Sequence, residues 1–205
     1  MAGARREENQ AVMSKQDEEL IAEYQQGNEE ALNMLFHRYK KPVFNFAFRL
    51  LGNRADAEDT TSEVFLILVT KKDAYQPRAK FSTWLFTVVR NACISRIRKR
   101  KNVFSMWRTN PDSGQEEEWE IPDDQPSPAD DLNRKETARQ VKKVIKLLPP
   151  MQKEALILRE YHGLPYEEIA QILDCSLENV KVLIFRARER LRVELASLIA
   201  EDEHE

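Results

Sequence analysis

The chain reads as an all-α protein of two small helical domains joined by a flexible acidic linker, and three observations predict this. Only 5 of its 205 residues are Gly, and runs of alternating β-branched residues are scarce. Apolar residues recur at helical spacing through two separate blocks, residues 17–102 and 133–198. Between them, residues 103–132 carry Pro111, Pro122, Pro126 and Pro128, an acidic majority and little apolar periodicity, which describes a linker rather than a packed domain.

Each element follows from local signals. Residues 1–16 are polar and are expected to be disordered. A first helix opens at Asp17, where Leu20, Ile21 and Tyr24 are spaced to pack, and Gly27-Asn28 ends it. A second covers Glu29 to Leu51 and is punctuated by Gly52-Asn53. A third runs from Arg54 to about Asp73, Pro77 marks a loop, and a fourth runs from about Phe81 to Lys101. Beyond the linker come a helix from about Asn133 to Leu147, the Pro149-Pro150 break, a helix from Met151 to Tyr161, the Gly163-Leu164-Pro165 turn and a final helix pair. Residues 199–205 form an acidic tail. Each block is long enough to bury a small core.

That final pair, Tyr166 to Arg192, has the pattern of a helix-turn-helix. Its first helix carries Ile169, Ala170, Ile172 and Leu173. Asp174-Cys175 makes the break, Asp tolerating a left-handed conformation better than most residues, and Ser176 is a natural N-cap. The second helix has a seam of Val180, Ile184, Ala187 and Leu191, while Lys181, Arg186, Arg188, Arg190 and Arg192 charge its other faces. A cationic helix on a small tripod is shaped for a major groove. A solvated basic helix of an ordinary bundle is the alternative, but seam, turn and charge agree on DNA.

The net charge of −3 hides a segregated distribution. From Lys71 to Lys101 the only acid among many Lys and Arg is Asp73, whereas from Val103 to Leu132 the only base among many acids is Arg108. Cys93 and Cys175 have no metal-like or disulfide-like spacing, so both read as reduced thiols and no metal or other cofactor is expected. No apolar run approaches the ~20 residues needed to span a bilayer, which predicts a cytoplasmic protein without membrane insertion. No phosphate-binding Gly-rich loop, nucleophile elbow or HExxH is present, and His37, His162 and His204 are isolated, so an enzyme fares worst among the function classes.

Two further constellations carry chemistry. In the third helix Asp56, Asp59 and Glu63 share one acidic stripe, while Ala57, Thr61, Val64, Phe65 and Leu68 point elsewhere. Such a stripe is either solvated surface or a dock for a basic or polar partner. In the fourth helix Leu85, Val88, Val89 and Ala92 form the side expected to be buried, and Trp84, Thr87, Asn91, Ser95 and Arg98 line another. An aromatic followed by small polar residues and an Arg suits unpaired bases, with core packing of Trp84 the competing reading.

The segments RLLGNRADAEDTTSEVFL, FSTWLFTVVRNACISRIRKR, LLPPMQKEALILREYHGLPYEEIAQIL and VKVLIFRARERLR, in this order, resemble a bacterial RNA polymerase sigma factor of the extracytoplasmic-function (ECF) group. These are compact sigma-70 relatives that keep only sigma domains two and four. The resemblance implies a non-catalytic initiation factor that binds core polymerase through the largest-subunit clamp and the flap, and directs it to promoter DNA. An anti-sigma factor is a common further partner in the family. By that likeness Asp56, Asp59, Glu63 and Phe65 dock on the clamp. Lys80, Phe81, Trp84, Asn91, Ser95 and Arg98 bind and melt the minus ten element, a flipped base explaining the aromatic. Ser176, Glu178, Asn179, Lys181, Val182, Phe185, Arg186 and Arg188 meet the minus thirty-five element. The acidic linker resembles the segment that threads the RNA exit channel.

Three departures from the family pattern stand out, at four positions. Ser62 stands for the usual Gln of the clamp-docking motif, Glu178-Asn179 for the Gly-Thr that opens the recognition helix, and Leu183 for an Arg. The rival function is a stand-alone helix-turn-helix activator or repressor with an N-terminal sensor domain.

Overall fold

The structure, a computed structural model, describes residues 15–106 and 140–202. The expected disordered N-terminus up to residue 14, the linker beyond residue 106, the first part of the helix expected from Asn133 and residues 203–205 lie outside the described residues. All regular structure among the described residues is helical. Two compact units divide between Gln115 and Glu116.

The first unit is built from α1 (Asp17–Gln25), α2 (Glu29–Leu51), α3 (Arg54–Thr70), a 3-10 turn (Lys72–Ala74) and α4 (Phe81–Met106). The boundaries come from short-range chemistry. The Asn28 side chain accepts from the Glu30 N–H at 3.2 Å and that of Asn53 from the Asp56 N–H at 2.9 Å, each satisfying an amide that the first turn leaves unpaired. Gly52 closes α2 in the left-handed region at φ 70°, its N–H on the Phe48 carbonyl at 2.9 Å.

Around α2 the other helices bury one face each: Leu20, Ile21 and Tyr24 from α1, Ala57, Val64 and Leu68 from α3, and Phe81, Leu85, Val89 and Cys93 from α4. Each large apolar side chain so buried contributes about 1.5–3 kcal/mol. The α4 seam therefore differs from the expected one, since Val88 and Ala92 are only half-buried while Phe81 and Cys93 replace them inside. The helix also runs five residues past Lys101, into the stretch read as linker, with no Gly or Pro to stop it.

The second unit holds a helix described over residues 140–147 (α5), then α6 (Pro150–Glu160), α7 (Tyr166–Leu173) and α8 (Leu177–Asp202). Pro150 sits at the first position of α6, where its missing N–H costs nothing. Asp174 is left-handed at φ 53°, and Ser176 Oγ accepts from the Asn179 N–H at 3.2 Å, so the break and the N-cap fall where the sequence puts them. Ala155, Leu156, Ile157 and Leu158, with Ile169, Ile172 and Leu173, close over the α8 seam of Val180, Ile184 and Ala187. Leu191 packs at the edge of that core beside Ile145, Leu148 and Leu156. Helix α8 continues to Asp202, through part of the expected acidic tail.

Candidate nucleic-acid interface

In the first unit the polar stripe of α4 is open. Asn91, Ser95 and Arg98 are exposed, and Trp84 and Thr87 are half-buried. Trp84 stands edge-on to Tyr75, with ring centroids 5.7 Å apart, and tilts against Phe81 at 5.8 Å. Its indole is thus braced on one side and accessible on the other. Exposed Lys71, Lys72, Arg78 and Lys80 precede it in sequence.

Phe81 departs from the expected contact set. Its ring is fully buried, edge-on to Tyr39 and Tyr75 at 5.6 Å each, so the side chain is core and supports Trp84 instead of offering a face to DNA. Burial pushes the Tyr75 phenol above its ordinary pKa, and its protonated hydroxyl donates to the Ala79 carbonyl at 2.8 Å. Burial first, then a hydrogen bond to Asp17, raises Tyr39 further.

The acidic stripe of α3 divides into three kinds of carboxylate. Asp56 is half-buried and ion-paired with Arg100. Glu63 is exposed and pairs with Arg96 of α4 at 2.9 Å. Asp59 is exposed, and its carboxylate has no partner among the described residues. Phe65 is only 6% exposed, packed edge-on against Phe36 at 4.8 Å, so its side chain fixes the helix in the core and presents little surface of its own. The Ser62 hydroxyl donates back to the Glu58 carbonyl at 2.9 Å, so it folds against its own helix.

Sequence reasoning missed Leu66, which is 58% exposed. At three residues from Glu63 and seven from Asp59 it continues their face, and that spacing was the available signal. The face is therefore acidic and apolar together.

In the second unit Glu178, Val182 and Phe185 stand opposite the buried seam of α8, flanked by exposed Asn179, Lys181 and Arg186. Phe185 is 65% exposed, an unusual position for a large aromatic unless a partner covers it. Lys181 and Arg186 have no carboxylate partner among the described residues. The other arginines of the helix differ. Arg188 reaches Glu160 of α6 at 2.6 Å, a bond that raises its pKa, while Arg192 pairs with Glu189 and Arg190 lies near Glu194. Leu183 is half-buried beside the seam.

No helix among the described residues is long and apolar enough to cross a membrane, and no cluster of three metal-ligating side chains occurs there. The geometry defines a two-unit helical protein with a helix-turn-helix in one unit and a braced tryptophan above an open polar stripe in the other. Sigma-70 region 2 matches residues 35–103, and Sigma-70, region 4 matches residues 138–191.

The ECF RNA polymerase sigma factor SigW of Bacillus subtilis is 30% identical over 179 residues, spanning 87% of this chain and 96% of that one. The ECF RNA polymerase sigma-E factor of Escherichia coli K12 is 30% identical over 197 residues, spanning 91% and 99%. Among solved structures, the sigma factor RpoE in complex with the anti-sigma factor NepR from Bartonella quintana shares 27% identity at a TM-score of 0.66, over 80% of this chain and 96% of that one. The chain belongs to the ECF group of RNA polymerase sigma factors, and its function is transcription initiation.

Proposed function

We propose that the two units divide promoter recognition between them and meet core polymerase through α3. Asp59, Glu63 and Leu66 form the dock for the clamp, with Asp56 and Phe65 holding that face in place. Lys80, Trp84, Asn91, Ser95 and Arg98 bind the opened minus ten element: the indole stacks on an unpaired base, Asn and Ser bond base edges, and the cations hold phosphate. Lys181, Val182, Phe185 and Arg186 enter the major groove at the minus thirty-five element, with Ser176, Glu178 and Asn179 at the helix start and Arg188 held alongside by Glu160. The phosphodiester chemistry belongs to the polymerase, so this chain acts without catalysis and in the cytoplasm, where that enzyme is. The NepR complex of the Bartonella relative supports an anti-sigma factor as the further partner.

The observation that carries this reading is that Trp84, braced by Tyr75 and Phe81, sits on the same helix stripe as exposed Asn91, Ser95 and Arg98. Reconstitution with core polymerase on a library of promoter fragments tests it. Fragments sharing two short elements at fixed spacing are enriched only when core is present, since each unit alone makes few base contacts. A sharp footprint by the free protein, as a dimer on a palindrome, would instead support a stand-alone repressor.

A further inference from the structure

Helix α1 ends ten residues before the segment that matches Sigma-70 region 2 begins, yet its side chains hold the loop that leads into α4. Gln25 Nε2 donates to the carbonyls of both Lys72 and Tyr75, each at 3.1 Å. Tyr24 hydroxyl donates to the Leu68 carbonyl at 3.0 Å, and the Lys72 ammonium lies 5.3 Å from the centre of the Tyr24 ring. At the far end of the loop, Glu18 Oε1 accepts from the Phe81 N–H at 3.0 Å. That amide opens α4 and has no partner within the helix, and a carboxylate there also meets the positive end of the helix dipole. The α1 helix therefore grips both ends of residues 71–80 from more than 45 residues away in sequence.

What those grips control is the seat of Trp84. Gln25 fixes the Tyr75 carbonyl, and the Tyr75 ring is the edge on which the indole leans, while the Tyr75 hydroxyl ties back to Ala79 just before Lys80. Loop and tryptophan thus share one anchor. We propose that Gln25 and Glu18 are positioning residues for single-strand capture: α1 pre-forms the 71–80 loop and the Trp84 platform, so that an unpaired base meets a fixed surface and the strand does not have to order one. This rests on the strand-capture role assigned above. The consequence is in base discrimination more than in folding, because Gln25 is only half-buried and its loss leaves the apolar seam intact.

The test uses full-length holoenzyme assembled with core polymerase, and single-stranded oligonucleotides that differ at one central base. Gln25→Met keeps the length of the side chain and removes both donors, whereas Gln25→Lys restores a donor. Gln25→Met is expected to reduce discrimination between the best and worst base by about threefold to tenfold, the size of one or two net hydrogen bonds, with core affinity unchanged. Gln25→Lys recovers most of that ratio. In a Trp107→Phe/Trp119→Phe background, Trp84 emission shifts to the red in Gln25→Met as the Tyr75 edge loosens. Unchanged discrimination in Gln25→Met, or Met and Lys variants that behave alike, overturns the positioning role. So does a fall in melting temperature with the ratio preserved, since that describes a structural contact only. If the parent holoenzyme itself shows no base preference, strand capture by this face fails and the positioning role fails with it.

Discussion

In the second unit the side chains proposed to meet DNA stand on one helix, opposite that helix's own buried seam; in the first the proposed face lies on Lys80 and α4, and α1 braces it through the 71–80 loop. A face that reads duplex DNA needs only a rigid helix at the right angle, because the duplex brings its own geometry. A face that captures an unpaired strand must supply the geometry itself, since the strand is flexible. The first unit accordingly spends a buried Phe, two Tyr rings and three long-range hydrogen bonds on bracing a single Trp, whereas Phe185 projects with no ring beside it among the described residues.

The sharpest way to break this contrast is to remove one aromatic from each unit. Phe81→Ala is expected to destabilise the first unit by about 3–5 kcal/mol, the usual result of emptying a core phenylalanine site. Phe185→Ala is expected to leave melting within about 0.5 kcal/mol of the parent and to weaken only promoter binding. Calorimetry beside promoter affinity reads both, and comparable melting losses would remove the distinction between braced and projecting aromatics.

Trp84→Ala falls between these. The indole is half-buried, so its loss affects packing less than Phe81→Ala, but holoenzyme binding to single-stranded DNA is expected to weaken by about 1–3 kcal/mol, the worth of one base–aromatic stack. Duplex binding through the second unit stays as it was. Loss of both in proportion to unfolding would mark Trp84 as core.

The same contrast explains what could be read from sequence. Gly52-Asn53 and Asp174-Ser176 announce helix boundaries through their own side-chain and backbone preferences, and the Val180, Ile184, Ala187 seam announces the opposite face of α8 as the outward one. Those are local signals. The resemblance to the family's melting segment places Phe81 at the DNA, yet its burial depends on Tyr39 and Tyr75, whose rings only the tertiary fold sets against it. The pairs Glu63–Arg96 and Glu160–Arg188 are likewise tertiary, and they change the standing of individual charges: Arg188 looks like another DNA cation in sequence and is tied to α6 in the fold.

Paired and unpaired carboxylates on α3 give the next comparison. Asp59→Lys and Glu63→Lys are both expected to weaken core polymerase binding, measured by titration of labelled protein with core. Glu63→Lys also sets a cation against Arg96, so it alone costs stability, by up to about 1 kcal/mol, because exposed pairs contribute little. Arg96→Gln frees Glu63 and leaves core affinity equal or tighter. Core binding as tight as the parent's in both Lys variants would rule this face out as the dock.

The smallest expected effect concerns Leu183, where the family usually has Arg. Leu183 is half-buried beside the seam and next to projecting Val182, so this position lies at the border between the core and the outward face of α8. An Arg there can lay its aliphatic stem along the seam and carry its guanidinium out toward phosphate. A phosphate contact adds affinity without sequence information and about 0.9 to the salt slope of duplex binding. Leu183→Arg is therefore expected to tighten specific and non-specific DNA alike and to steepen the slope by about one unit, with melting lowered by less than about 1 kcal/mol for the lost apolar contact. Lys181→Ala and Arg186→Ala change the slope by a similar amount in the other direction, since neither side chain has a carboxylate partner among the described residues. A salt titration beside thermal melting of the full chain separates packing from phosphate binding: a lower melting point with no steeper slope would show Leu183 to be a core residue whose replacement cannot reach the backbone.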